Sequence, residues 1–188
     1  RSIWQSLRYA AFQVAAIVST TGFGTADFVL WPQFSQLIIV LLMFCGASAG
    51  STGGGMKCSR VLLLLRSIRR EIHRVTHPRS VEVVKLDGKL VSESTLHTLL
   101  VFLGAYVTTV FVAALMISLD GQSFAVSFSA ALTCVSNVGP GLEAIGPSGN
   151  FAAFSGLSKA VMSLCMIIGR LEIFPILVLF SPSAWKRV

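Results

Sequence analysis

Two short turns in the sequence lack any titratable side chain, yet their composition favours binding of an ion. They read STTGFG at 19–24 and SNVGPG at 136–141, and Gly22 corresponds to Gly139 at an offset of 117 residues. Glycine permits closely approached backbone that a side chain would obstruct, and backbone carbonyls can replace the water shell of a cation. A single such turn could be an ordinary loop between helices. Two copies in corresponding places predict a pair of cation-binding turns.

Each turn follows a short apolar segment, 4–18 or 122–135, that contains neither glycine nor proline. A helix needs about 20 residues to cross the roughly 30 Å hydrocarbon core of a membrane. These two segments are therefore predicted to be re-entrant half-helices. The carbonyls at the C-terminal end of a helix carry about half a negative charge, which favours a cation just beyond that end.

The composition places these elements in a membrane. The chain has 188 residues, of which 54% are hydrophobic and 12% charged, whereas soluble domains carry about 25% charged residues. Nine of the 15 Lys and Arg residues fall within 57–89, and none falls within 9–56 or 90–158. Cytoplasmic loops retain Lys and Arg, so the basic charge indicates a cytoplasmic segment at 57–89 rather than a nucleic-acid-binding surface.

An inner helix is predicted after each turn, at 34–70 and at 157–180. Residues 157–180 are long enough to span a membrane, as are residues 95–119. The first inner helix is broken at 46–55 by a run of Gly, Ala, Ser and Thr; the alternative is a tight packing surface of small residues. Unpaired backbone at membrane depth is tolerated only where protein or water satisfies it, so these interruptions predict a permeation pathway.

The order half-helix, turn and inner helix occurs twice, which predicts an all-α membrane protein built from repeated pore-loop units. Residues 1–70 form the first unit, 71–92 a cytoplasmic connection with a hairpin turn at Asp87-Gly88, and 93–188 the second unit, whose outer helix precedes its half-helix. The outer helix of the first unit is missing. We therefore expect the chain to be the C-terminal part of a longer protein or the product of a truncated gene.

Four motifs in this order resemble the Trk/Ktr/HKT superfamily of potassium transporters. They are STTGFG after a half-helix, GASAGSTGGGMK within the next helix, SNVGPG in the second turn and GRLEIFP in the last helix. The resemblance covers nearly the whole chain. It implies potassium transport across the plasma membrane through a selectivity filter made by four units, of which this chain holds the third and fourth. The remaining N-terminal pore units would belong to the same protein.

Carried over by position, the resemblance implies that potassium is coordinated by backbone carbonyls in both turns. No other metal is expected. The residues concerned are Thr20, Thr21, Gly22, Asn137, Val138 and Gly139.

The resemblance further implies a gate beneath the filter, formed by the loop 46–55 and by Arg170. An Arg near the middle of a spanning helix is costly and usually faces a cavity or a partner; the alternative is an Arg that binds carbonyl ends for structure alone. Glu172 lies two positions away, which is not the spacing of a helical ion pair. The expected gating residues are Gly46, Gly50, Gly53, Gly54, Gly55 and Arg170.

The expected partners are membrane lipid and a cytoplasmic TrkA-like ring of nucleotide-binding regulatory subunits, both of which could use the basic segment 57–89. The chain itself is expected to hold no cofactor, so that NAD or ATP/ADP would act only through that ring. The resemblance also implies a homodimer with several membrane crossings in a bacterial inner membrane, and no nucleic-acid partner.

Two other classes of function compete with this interpretation. A membrane enzyme is disfavoured, because His97 is the only membrane-proximal His and has no Asp or Cys near it in sequence. A secondary transporter that binds a small solute at broken helices is the alternative that stays open.

Overall fold

The computed structural model describes residues 3–51, 53–77 and 83–179. Within these ranges the regular elements are helices apart from one short hairpin, as expected for the all-α class. The elements are α1 (Ile3–Val18), α2 (Gln33–Cys45), α3 (Cys58–Thr76), β1 (Lys85–Leu86), β2 (Lys89–Leu90), α4 (Glu93–Ile117), α5 (Phe124–Ser136), α6 (Gly156–Arg170) and α7 (Phe174–Leu179).

One helix in the described part of the chain is long and apolar enough to cross a membrane, and it is α4 with its 3₁₀ extension, Glu93–Asp120. Its start is capped by Ser92, whose hydroxyl accepts a hydrogen bond from the Thr95 N–H at 3.2 Å. Gly121, with φ +70°, turns the chain at the other end. The half-helices α1 and α5 lie where the sequence places them and are too short to span.

The second inner helix, predicted as one span over 157–180, is divided in the structure. Helix α6 ends at Arg170 and α7 begins at Phe174, while residue 180 lies outside the described residues. Pro175 has no N–H, and its ring would clash with the carbonyl four residues earlier, at Leu171. Glu172 and Ile173 between the helices have positive φ, 57° and 61°. The proline therefore interrupts a segment that hydropathy alone predicts to be continuous.

The first inner helix is broken near the predicted place. Helix α2 ends at Cys45 and α3 begins at Cys58. Helix α3 continues to Thr76, so it takes up the first residues of the predicted connection 71–92, of which 78–82 lie outside the described residues. The connection then forms the expected hairpin, with Lys85 paired to Leu90. Asp87 and Gly88 both have positive φ, as a two-residue hairpin turn with right-handed strand twist requires.

Helix α5 lies at the centre of the fold and packs against α4, α6 and α2. Its last seven residues, from Ala130 to Ser136, are all buried. Helix α6 approaches it so closely that a Cβ atom on Gly169 would lie 1.9 Å from the carbonyl oxygen of Val135. Small residues allow such backbone contact between membrane helices, and this contact fixes the end of α6 beside the second turn.

Replacing Gly169 by Ala should destabilise the protein, because the new methyl group must displace the Val135 carbonyl. We expect a loss of about 1–3 kcal/mol in the free energy of unfolding, typical of overpacking. Gly104→Ala on α4 is the matched control, since no atom lies within 4 Å of its Cβ position and Ala favours a helix by up to ~1 kcal/mol. Thermal unfolding in detergent measures both; equal effects would contradict the close contact.

Candidate functional site

Corresponding residues of the two turns share a positive φ at two positions. Thr20 and Asn137 have φ angles of 57° and 56°, and Gly22 and Gly139 have φ angles of 69° and 109°. A positive φ is uncommon for residues other than glycine, although Asn adopts it more readily than most. The repeat inferred from sequence therefore extends to the conformation of individual residues.

The N–H groups of both turns point back into the half-helix that precedes them. Thr21 donates to the Ala16 carbonyl and Val138 to the Thr133 carbonyl, each at 3.0 Å. In the first turn the flanking donors are Thr20, to Ile17 at 3.1 Å, and Gly22, to Ala16 at 3.3 Å.

Among the bonds that the backbone N–H groups donate, the second turn differs from the first in one. Asn137 donates to the Cys134 carbonyl at 3.2 Å, but Gly139 donates to the side-chain hydroxyl of Thr133 at 2.8 Å. Ala16 stands at the position of Thr133 in the first copy and offers no hydroxyl. Thr133 thus holds the second turn to α5 through both its carbonyl and its side chain.

The carbonyl oxygens of these turns are left available. Within the described residues, no N–H or hydroxyl donates a hydrogen bond to the carbonyl of any of the six predicted coordinating residues. Backbone carbonyls carry lone pairs that a buried structure normally satisfies. A row of unpaired carbonyls beyond the negative end of a helix is a chemical environment suited to a cation.

The two turns lie against each other although they are far apart in sequence. A Cβ atom on Gly22 would lie 2.1 Å from the carbonyl oxygen of Val138 and 3.0 Å from Cδ of Pro140. The loops that follow the turns also meet, because the Ser148 hydroxyl donates to the Asp27 carboxylate. Asp27 in turn accepts from the Val29 N–H at 3.0 Å. Both turns consequently face the same side of the molecule.

A buried hydroxyl pair supports the second turn from α4. The hydroxyl groups of Tyr106 and Ser136 are 2.7 Å apart, and the Tyr106 ring meets Phe44 of α2 edge to face at 5.3 Å. Sequence reasoning did not identify Tyr106 as a supporting residue. The available signal was a single phenol within an otherwise apolar span, since a buried Tyr hydroxyl usually finds a partner.

The glycine-rich segment 46–55 forms a loop whose two ends lie close together. The Met56 N–H donates to the Phe44 carbonyl at 3.2 Å, and the Cys58 N–H donates to the Ala47 carbonyl at 3.0 Å. These bonds close the base of the loop and satisfy backbone groups that the break would otherwise leave unpaired. The segment is thus a loop between α2 and α3 whose base is closed by backbone hydrogen bonds.

The loop contacts the half-helix end of both turns. A Cβ atom on Gly53 would lie 2.9 Å from the Thr20 hydroxyl, and one on Gly54 would lie 2.3 Å from the Ser136 carbonyl oxygen. Gly46 and Gly55 pack against each other at the base, whereas Gly50 near the tip has no atom within 4 Å of its Cβ position. Only residues without a side chain fit at the two contact points.

Arg170 is exposed and is the last residue of α6. Its backbone lies beside the second turn: with the Asn137 amide assigned so that each atom faces a suitable partner, its oxygen accepts from the Arg170 N–H at 3.1 Å. In the same assignment its nitrogen donates to the Met166 carbonyl at 3.2 Å. Asn137 therefore links the turn to the end of α6.

Glu172 forms ion pairs with residues at the start of α3, far from it in sequence. Its carboxylate accepts hydrogen bonds from the Lys57 ammonium and, at 2.7 Å, from Arg60 Nη2. Lys57 immediately precedes α3. Sequence reasoning considered Glu172 only as a neighbour of Arg170 and missed this ion pair, which spans 115 positions of the chain.

Comparison with known proteins shows one family. The family described as TrkH, cation transport protein, matches residues 3–187. A "Trk system potassium uptake protein TrkH" of Salmonella typhimurium is 36% identical over 182 residues, which are 97% of this chain and 37% of that protein. The protein of the same name from Escherichia coli is 35% identical over 186 residues, or 99% of this chain and 38% of its own length.

A solved structure agrees with these relatives. The crystal structure of the potassium transporter TrkH from Vibrio parahaemolyticus superposes with a TM-score of 0.84 at 36% sequence identity, covering 98% of this chain and 39% of that one. The chain thus spans less than two fifths of the length of the relatives that it matches.

Thr133→Val should loosen the second turn, because valine keeps the shape of threonine but cannot accept the Gly139 N–H. We expect a loss of about 1 kcal/mol in the free energy of unfolding, the net value of one hydrogen bond. Thr109→Val on α4 is the control, since its hydroxyl bonds only the Ala105 carbonyl within its own helix. Unfolding in detergent compares the two; an equal loss in both would show that Thr133 plays no special role.

Proposed function

The chain belongs to the TrkH family of cation transport proteins, and we propose that it supplies two of the four quarters of a potassium-selective filter. In this proposal the carbonyls of Thr20, Thr21 and Gly22 face the ion together with those of Asn137, Val138 and Gly139. The remaining quarters come from the N-terminal part of the same protein. This agrees with the relatives, of whose length the chain spans less than two fifths.

One observation carries this proposal. All six N–H groups are used in bonds to the preceding half-helices, while none of the six carbonyls accepts a hydrogen bond from the described residues. Carbonyl coordination replaces the water shell of an ion without any titratable group. The membrane potential contributes about 2.3 kcal/mol per charge per 100 mV, which favours inward movement of potassium down its electrochemical gradient.

A flux assay tests the proposal against its alternative. Proteoliposomes that contain the full-length protein should take up rubidium, a potassium substitute, but not a small organic solute. A secondary transporter would instead bind its solute at broken helices, and the α6–α7 break is a feature of that kind. Uptake of solute without rubidium would overturn the proposal.

Selectivity should depend on the two glycines of the turns. Gly139→Ser introduces a side chain at φ +109° and should redirect the adjacent carbonyls, which we expect to reduce the potassium-to-sodium permeability ratio about tenfold, or ~1.4 kcal/mol. Gly22→Ser should do the same and also clash with Val138.

Gly121→Ser is the matched control for these variants. Gly121 also has a positive φ, 70°, and free space at its Cβ position, but it lies at the end of the α4 extension. The permeability ratio is measured from ion fluxes in proteoliposomes. An unchanged ratio in a well-expressed Gly139→Ser protein would mean that the turns are only loops.

We further propose that the loop 46–55 and Arg170 gate the pore. The contacts of Gly53 and Gly54 with the ends of both half-helices support this role, because a loop held there would obstruct an ion that leaves the turns. The positive charge of Arg170 would repel a cation in transit. The surroundings of Arg170 support this as well, since its N–H is bonded to Asn137 of the second turn.

Removing the obstruction should raise flux. Deletion of Gly50 to Gly55, or replacement of Arg170 by Ala, should increase basal rubidium uptake severalfold in the full-length protein. Arg170→Lys keeps the charge and should remain close to wild type. Lower uptake at normal expression would instead assign both elements a structural role.

The proposed regulator is a cytoplasmic TrkA-like ring that binds NAD or ATP/ADP and acts on the basic surface of α3, in a protein that is a homodimer in the bacterial inner membrane. Helix α3 supports this, because it connects the loop directly to Arg69, Arg70 and Arg74. Arg70 is already engaged with Glu93 at 2.5 Å. Arg69 is exposed, so its substitution tests docking more directly than substitution of Arg70.

Charge reversal at Arg69 and Arg74 should weaken co-purification with such a ring and remove nucleotide-dependent flux, while basal permeation remains. Lys159→Glu, at the start of α6, reverses one basic charge, as each of the two substitutions on α3 does, and should leave the complex intact. Retained binding with altered dependence on anionic lipid would identify the basic surface as a lipid contact, worth about 1 kcal/mol per residue, and would move the docking site elsewhere.

A further inference from the structure

The two helix breaks of the chain are joined by one carboxylate. Glu172 lies in the break between α6 and α7, and Lys57 and Arg60 lie at the start of α3, just after the glycine-rich loop. Glu172 Oε1 accepts from Lys57, and Oε2 accepts from Arg60 at 2.7 Å. The side chains of Lys57 and Arg60 are 11% and 27% exposed, and that of Glu172 is 42% exposed, so the two cations are more buried than the carboxylate that joins them.

The backbone at both breaks is held in an unfavourable conformation. Lys57, Glu172 and Ile173 have φ angles of 68°, 57° and 61°, and a positive φ is costly for residues with a side chain, most of all for a β-branched one. Such strain persists only where the surrounding contacts impose it. The carboxylate binds the strained Lys57 and belongs itself to the other strained segment, so the ion pairs stabilise both breaks at once.

The ion pairs connect the two proposed gating elements. Lys57 follows the closed base of the loop, whose Gly54 lies against the Ser136 carbonyl. Glu172 follows Arg170 by two residues. Arg60 is fixed on a third element, since its guanidinium lies over the Phe102 ring of α4 at 4.2 Å. A movement of α3 away from α6 would therefore have to separate these charges.

We propose that Glu172 is a positioning residue of the gate, whose carboxylate holds the end of the glycine-rich loop to the last inner helix and keeps the loop beneath the turns. This rests on the proposed gating function. Opening then requires release of Lys57 and Arg60, and the two helix breaks move as a coupled pair. An interaction made in only one of two states shifts the equilibrium between them.

Two readouts in the full-length protein test this role. The first is basal rubidium uptake in proteoliposomes. The second is the rate at which an impermeant thiol reagent labels a cysteine at position 49, made by Ala49→Cys in a background whose native cysteines are replaced. Ala49 is exposed near the loop tip, so its labelling reports loop position whether or not the protein carries rubidium.

Glu172→Gln and Lys57→Gln should each raise uptake at least threefold and change the labelling rate, while Glu172→Asp should stay near wild type. The double variant should equal Glu172→Gln alone, because removing the carboxylate already removes its interaction with Lys57. The exchange Lys57→Glu with Glu172→Lys should recover part of the closed behaviour. Glu143→Gln is the matched control, as that carboxylate bonds only Ser123 among the described residues, at 2.7 Å.

Unchanged uptake and labelling in folded Glu172→Gln and Lys57→Gln proteins would overturn the proposal. So would additive effects in the double variant, which would mean that the two residues act separately. Should the wild-type protein carry no rubidium, the proposed function fails, and the labelling rates alone then decide whether Glu172 positions the loop.

Discussion

Every break of a helix within a membrane must find partners for the backbone groups that it frees, because no water is available there to bind them. Much of this structure follows from that constraint. The turns return their N–H groups to the half-helices, and the glycine-rich loop closes its base through bonds from Met56 and Cys58. The carbonyls of the turns are the exception. Carbonyl groups of this kind can coordinate a cation, which is the role proposed above for these turns.

Meeting this constraint demands that separate stretches of backbone lie in direct contact. At Gly22, Gly54 and Gly169 a Cβ atom would come within 2.3 Å of a carbonyl oxygen of another segment. The carbonyl oxygens belong to Val138, Ser136 and Val135, which lie in the second turn or at the end of α5. The first turn, the loop and α6 therefore all contact this one region. A substitution that enlarges any of these residues would therefore disturb the packing of α5.

Charged side chains also pair with each other at the helix breaks. Lys57 and Glu172 are each located where a helix is interrupted, and their ion pair joins the two interruptions. Tyr106 and Ser136 likewise pair two hydroxyl groups within the core. Polar side chains in this fold thus mark the positions where elements must keep a defined relation to one another.

Local pattern was sufficient for the short helices, the two turns and the hairpin at Asp87-Gly88, because apolar length, glycine and turn chemistry act over a few residues. Pro175 also lies in the sequence, but the long apolar run around it predicted one continuous helix. The break at 171–173 was therefore not predicted. The repeat offset of 117 residues also predicted that Thr20 and Asn137 would be equivalent. The tertiary structure alone decided which segments meet: Gly22 with Val138, Gly54 with Ser136, and Glu172 with Lys57 and Arg60. A spacing rule cannot supply these pairs, because they depend on how several helices pack in three dimensions rather than on any period along one of them.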